Sequence, residues 1–79
     1  MRHVWVVTNS KMYWSDGPLG IGATRAAGKR IGAAYLTRTK QFSRIDAEGM
    51  HHLWFDFDDY SECRTDREIV YVYRYEVER

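Results

Sequence analysis

The chain has 79 residues, enough for a single domain over residues 1–79, because two separate cores would each be too small to offset the chain entropy. Hydrophobic residues make up 44% of the chain and aromatic residues 15%, a composition that excludes an intrinsically disordered protein. The formal net charge is only +1, but residues 1–45 carry eight Lys or Arg against one Asp, and residues 46–79 carry ten Asp or Glu against four Arg. The two halves therefore either pair locally or leave one basic and one acidic face.

Targeting signals and enclosed sites are not expected in this sequence. No apolar run approaches the roughly 18 to 20 residues of a membrane-spanning helix, and the N-terminal segment is too brief for a signal peptide. A chain of this size has little interior for an active site, so we expect a non-enzymatic cytoplasmic protein that contacts no membrane. The single cysteine, Cys63, excludes an internal disulfide and leaves a bridge between two copies open, so we expect a monomer or a dimer.

The N-terminal part predicts a strand, a loop and a helix. Residues 4–8 are β-branched and aromatic, which predicts a strand. Residues 9–22 contain the only proline and several glycines, which predicts a loop with a short second strand either at residues 11–14 or directly before the helix. Thr24 is suited to cap a helix that ends near residue 37. An apolar stripe at helical spacing predicts its buried face: Ala27, Ile31, Ala34 and Tyr35. Its many small residues favour close packing of the helix on a sheet.

The C-terminal part predicts three further strands. Residues 41–46 and 50–57 have the pattern of a hairpin that turns at Gly49. Residues 58–68 are polar and predict a connection. Residues 69–77 form the clearest strand pattern, with tyrosines on one side and valines on the other. The predicted fold is therefore α+β, with one α-helix packed on a four- or five-stranded antiparallel β-sheet in the order β-(β)-α-β-β-β.

Basic residues on the predicted helix form a candidate partner-binding surface. Arg25 and Lys29 are four residues apart on the side opposite the apolar stripe, with Arg30 next to them. Arg38 and Lys40 follow at the end of the helix. Cations within one Debye length of each other attract phosphates or an acidic protein surface. The alternative interpretation is an ordinary solvated helix face.

The other chemistry-bearing residues predict no metal, cofactor or catalytic site. His51 and His52 alternate across a strand, so they cannot easily converge on one ion. Cys63 lies between an acid and a base with opposite effects on its pKa, and we expect an inert thiol. The carboxylates of residues 56–66 match no calcium loop and are interpreted as a solvated rim, with general acid/base chemistry, a cation site or a nucleic-acid mimic as alternatives. The glycine-rich residues 17–22 lack the ending of a P-loop.

The tyrosines of the predicted last strand admit two interpretations. Tyr71, Tyr73 and Tyr75 lie on one side of that strand, where aromatic rings of RNA-binding modules stack on bases. The glycine-aromatic pattern of those modules is missing, and the tyrosines fit a core or edge cover equally well.

Several residues of the central segment occur in a characteristic order. The order comprises Lys29-Arg30-Ile31, twelve further residues, Arg44-Ile45-Asp46, a turn ending at Gly49, and Leu53-Trp54. It resembles that of small phage-encoded anti-CRISPR proteins of type I systems over residues 24–57, with a weaker similarity at Trp5. The resemblance implies one helix on an antiparallel sheet. It also implies a stoichiometric inhibitor that docks on guide-RNA-bearing subunits of a type I CRISPR surveillance complex and blocks pairing of target DNA with the guide.

The same resemblance implies roles for individual residues. Lys29 and Arg30 match a pair that contributes to contact with DNA, and Trp5 matches an aromatic residue at the contact surface. Polar contact positions later in the helix fall here on Ala34 and Leu36, where this chain differs. The expected partner-binding residues are Trp5, Arg25, Lys29, Arg30, Arg38 and Lys40. We expect these contacts in the cytoplasm of a bacterial host, with at most weak non-specific binding to DNA. The alternative is a free-standing phage domain that binds nucleic acid or has a regulatory role.

Overall fold

A computed structural model describes residues 2–9, 18–41 and 54–77. Their elements, in chain order, are β1 (Arg2–Asn9), β2 (Gly20–Gly22), α1 (Arg25–Arg38), β3 (Trp54–Asp56), β4 (Tyr60–Arg64) and β5 (Ile69–Val77). All neighbouring strands pair antiparallel, and the sheet order is β2-β1-β5-β4-β3. The long strands β1 and β5 therefore lie side by side inside the sheet. The predicted α+β fold, one helix on an antiparallel sheet, is confirmed with five strands.

Helix α1 begins and ends at recognisable signals. The Thr24 hydroxyl accepts a hydrogen bond of 3.1 Å from the Ala27 amide, which caps the first turn as predicted. At the other end, Lys40 adopts the left-handed conformation with φ 63°, and the following amide, of Gln41, donates to the Leu36 carbonyl at 2.8 Å. This arrangement satisfies carbonyls of the last turn.

Glycines bring α1 onto the sheet. The buried residues of the helix are Gly28, Gly32, Ala33 and Leu36. A Cβ at residue 28 would lie 2.5 Å from Val72 Cγ1, so the helix backbone itself touches β5. The close packing expected from the small residues is confirmed.

The predicted apolar stripe is only partly correct as the buried face of α1. Ile31 and Tyr35 are half-buried and pack against the core, but Ala27 is only half-buried and Ala34 is exposed. The pattern missed Gly28 and Gly32 because glycines carry no hydrophobic signal, although they make the closest contact with the sheet.

Strand β4 lies where the sequence predicts a polar connection over residues 58–68, and that prediction is wrong. Ser61 and Cys63 are fully buried under α1, and the alternate residue Glu62 lies on the opposite face with its carboxylate 2.6 Å from Arg64 Nε. This mixture of small and charged residues hides the period-2 signal of a strand.

The structure describes only some of the other segments that were predicted to be strands. The short second strand occurs directly before the helix, as β2. The alternative at residues 11–14 lies outside the described residues, as does most of the hairpin over residues 41–46 and 50–57. Strand β3 falls within the second arm of that hairpin.

The core lies between α1 and one face of the sheet. Its buried members are Val7, Leu36, Trp54, Cys63, Val70 and Val72. The opposite face carries the residues that alternate with them along each strand. We call this opposite face the aromatic face, after its most conspicuous side chains: Phe55, Phe57, Tyr60, Tyr71, Tyr73 and Tyr75.

Candidate partner-binding surface

Three predicted binding residues come together at the first turns of α1. The Arg25 guanidinium lies 4.7 Å from the centroid of the half-buried Trp5 ring, in a cation–π contact. Lys29 Nζ lies 2.7 Å from Asp56 Oδ1, and Arg25 Nη1 lies 3.9 Å from the same oxygen. A carboxylate of β3 thus joins two cations of the helix, and the oppositely charged halves of the chain pair locally at this point.

Further hydrogen bonds hold the Asp56 carboxylate in place. The Ser61 hydroxyl donates to Asp56 Oδ1 at 2.7 Å, and Arg25 Nη2 donates to the Asp58 carbonyl at 2.8 Å. The hydrogen bond from Lys29 keeps the pKa of Asp56 below its ordinary value, even though burial acts in the opposite direction. Asp56 is exposed, as the interpretation of a solvated rim requires, and it is also an intramolecular counter-ion for the helix.

The structure corrects the predicted exposure of Arg25 and Lys29. Their side chains are only 27% and 12% exposed, so they do not lie on the solvent side of α1. The reason is geometrical, since residues 25 and 29 flank the glycine face that contacts the sheet, and β3 brings Asp56 beside them. Sequence spacing alone could not reveal this partner, 27 residues beyond Lys29 along the chain.

The remaining predicted cations are exposed. Arg30 and Arg38 lie on the solvent side of α1, about 12 Å apart along its axis, and Lys40 follows the helix. No carboxylate of the described residues forms an ion pair with these three side chains. We call Arg30, Arg38 and Lys40 together the cationic helix surface.

Small side chains separate the cations of this surface. The solvent side of α1 shows exposed residues at four-residue spacing: Ala26, Arg30, Ala34 and Arg38. The alanines leave the helix backbone open to close approach, and the Arg38 guanidinium lies 5.8 Å from the centroid of the Tyr35 ring. Of the two positions where the chain differs from the anti-CRISPR pattern, Ala34 belongs to this surface, whereas Leu36 is fully buried and cannot contact a partner.

A buried carboxylate fixes the end of α1 that carries Arg38 and Lys40. Glu68, only 7% exposed, accepts hydrogen bonds from Asn9 Nδ2 at 2.5 Å, Tyr35 Oη at 2.7 Å and Gln41 Nε2 at 2.7 Å. Burial raises the pKa of Tyr35, and its hydrogen bond to Glu68 adds to the effect. This network ties the helix end to β1 and to the start of β5. The sequence did not predict this network, because Glu68 is one of several charged residues in a segment that has the composition of a polar connection.

The rings of the aromatic face stack on one another. Tyr60 stacks between Phe57 and Tyr73 with centroid distances of 4.7 and 5.3 Å, and Tyr73 also stacks on Tyr71 at 5.4 Å. Tyr71 and Tyr73 are half-buried within this stack, whereas Tyr75 is exposed. The tyrosines are therefore a surface layer rather than core, while base stacking stays a prediction.

Cys63 is a free cysteine that lies buried in the core. Burial raises the pKa of the fully buried Cys63 thiol to about 11, and its neighbours Glu62 and Arg64 pair with each other on the opposite face. Burial, rather than a balance between those two charges, therefore sets the thiol pKa, and a bridge between copies would require the core to open.

His51 and His52 lie outside the described residues. Residues 2–9, 18–41 and 54–77 contain no cluster suited to hold a metal ion.

Within the part of the chain that the structure describes, no helix combines the length and the apolar character needed to cross a membrane. Comparison with known proteins finds no matching family model, no matching curated protein and no matching solved structure.

Proposed function

We propose that this chain is a non-enzymatic inhibitor of a type I CRISPR surveillance complex, active in the cytoplasm of a bacterial host. The observation that carries the proposal is the cationic helix surface. α1 has no acidic residue in its sequence, and Arg30, Arg38 and Lys40 extend from it without carboxylate partners among the described residues. Such a surface suits a polyanionic or acidic target. The resemblance over residues 24–57 supplies the identity of that target.

The proposed mechanism is steric and electrostatic exclusion. Arginine forms two parallel hydrogen bonds to phosphate or carboxylate groups, and the alanines between the arginines allow the target to approach the helix closely. One bound copy then occupies the path that target DNA takes along the guide RNA. Arg25 and Lys29 act indirectly in this mechanism, because their contacts with Trp5 and Asp56 hold the helix on the sheet.

The test is binding to a purified type I surveillance complex, followed by a target-DNA binding assay. Arg30→Glu should weaken binding to the complex about 10-fold or more, because an attractive contact becomes repulsive. Arg2→Glu makes the same charge change at the start of β1, on the other face of the sheet, and should bind like the wild type. Equal binding by both variants, or wild-type binding by Arg30→Glu, would refute the role of the cationic helix surface.

The alternative, a nucleic-acid-binding domain, is distinguished by salt dependence. Binding to naked DNA through phosphates weakens steeply with salt, and each lost phosphate contact reduces the slope of log K against log salt by about one. Tight binding to the complex with little affinity for naked DNA favours the inhibitor. Comparable affinity for naked DNA, with a steep slope that falls in Arg30→Glu, favours the alternative.

A further inference from the structure

We propose that the aromatic face is a self-association surface, on which a second copy of this chain packs face to face. The resulting dimer would have two sheets at its centre and one helix on each outer side. The proposal is independent of the cationic helix surface, which lies on the other side of the sheet.

Exposed apolar side chains are concentrated on the aromatic face. The strongly exposed large hydrophobic side chains of the described residues are Phe55 at 60%, Ile21 at 59%, Tyr75 at 54%, Phe57 at 47% and Val77 at 38%. Strand alternation and the aromatic stacking place all five on this face. Soluble monomers scatter such residues singly, whereas a contiguous patch of them indicates an interaction site.

The central strands have the pattern of a sheet buried on both sides. On β1, Val4 and Val6 lie on the aromatic face opposite Tyr75 and Tyr73 of β5. An antiparallel sheet with one solvated face normally alternates apolar and polar residues. Over residues 4–7 of β1 and 70–73 of β5 both faces of the central pair are apolar, although α1 covers only one of them.

The exposed area is sufficient for a dimer. The five strongly exposed hydrophobic side chains present roughly 500 Å² per copy, since a fully exposed aromatic side chain offers about 150–250 Å². Two copies would thus bury about 1,000 Å² from these side chains alone, the area at which specific interfaces begin. The half-buried tyrosines would add to it.

The charge of the face favours a second copy over other occupants. Its Glu62 and Arg64 side chains pair with each other at 2.6 Å, and Arg2 adds one cation at the margin. A nucleic acid would need several free cations, and the described residues of the aromatic face offer only Arg2 and the paired Arg64. A nearly neutral apolar face complements itself under two-fold symmetry.

The test is the mass of the full chain in solution, measured by light scattering after size-exclusion chromatography at several concentrations. The wild type should elute as a dimer, and Tyr75→Glu should raise the dimer dissociation constant at least about 100-fold, because it buries an unpaired charge in the interface. Tyr75 is half-exposed in the single copy, so this variant should fold. Arg30→Glu is the matched control and should remain dimeric, since residue 30 lies on the outer side.

A second measurement keeps the test decisive. A dimer gains stability by mass action, so the wild-type Tm should rise with protein concentration, whereas the Tm of Tyr75→Glu should not. A monomeric wild type with a concentration-independent Tm would overturn the proposal and assign the aromatic face to a different partner. A dimer that Tyr75→Glu leaves intact would overturn it too.

Discussion

Replacement of Gly28 by alanine tests whether the backbone of α1 touches the sheet. At an exposed helical position this change stabilises a protein by about 0.5–1 kcal/mol, because alanine has the higher helix propensity. In this structure a Cβ at residue 28 would lie 2.5 Å from Val72 Cγ1, against an ordinary carbon–carbon contact of about 3.5–4.0 Å. The helix would therefore have to move by about 1 Å, and the neighbouring contact at Gly32 would loosen with it.

The surroundings of residue 28 determine the size of the effect. Val72 is fully buried, and its branched side chain has few alternative rotamers. Overpacking of this kind costs about 1–3 kcal/mol, so after the gain in propensity we expect a net loss of about 1–2 kcal/mol. For a domain of this size that loss lowers the Tm by roughly 5–15 °C.

Thermal and urea unfolding, followed by circular dichroism at one protein concentration, measure this loss. The matched control is Ala34→Gly, because Ala34 is exposed on the same helix and reports propensity alone, with an expected loss of about 1 kcal/mol. If Gly28→Ala instead stabilises the protein by as much as Ala34→Gly destabilises it, residue 28 does not touch the sheet. The assignment of the buried helix face would then be refuted.

Three other predictions concern ionisable groups. The hydrogen bond from Lys29 keeps the pKa of Asp56 below the ordinary 3.8. The stability from the Lys29–Asp56 pair is therefore present above about pH 4 and is lost as the pH falls through the lowered pKa. Lys29→Met should make the free energy of unfolding depend less on acid, as measured by urea unfolding at pH 3 to 7. The buried Cys63, with a pKa of about 11, should react with a thiol reagent at pH 8 only after unfolding. Cys63→Ser should lower the free energy of unfolding by about 1–3 kcal/mol, because it buries a hydroxyl. Rapid labelling of the folded protein would contradict its burial. Glu68→Ala should lose about 1–3 kcal/mol, since three donors lose their acceptor; unchanged urea unfolding would contradict the network.

Local signals made much of the fold predictable. β5 was predictable because β-branched and aromatic residues alternate over its whole length, and α1 because Thr24 marks its start. β4 was not, because Ser61 and Cys63 are small, and their burial depends on a helix that packs above them. The buried face of the helix was predicted only in part for a related reason, since glycines contribute through the absence of a side chain.

The candidate site was only partly predictable. The spacing correctly predicted that Arg25, Lys29, Arg30 and Arg38 lie on one helix. The resemblance indicated Trp5 as a contact residue. Lys29 pairs with Asp56, and this contact decides which cations of the helix have no carboxylate partner among the described residues. No local sequence pattern predicts a partner so far along the chain. The same holds for the aromatic face, because rings that are distant in sequence, such as Phe57 and Tyr73, form one layer only after three strands pair.

The strand order has a consequence for how the chain folds. β5, the last of the described strands along the chain, lies between β1 and β4 and pairs with both. Until it is in place, β1–β2 and β3–β4 are two separate pairs with no hydrogen bonds between them, and closing β1 on β5 joins residues as distant as Arg2 and Val77. Contacts of such long sequence separation are slow to form. The sheet therefore assembles only after β5 has left the ribosome, and loss of β5 would abolish the whole sheet rather than shorten it.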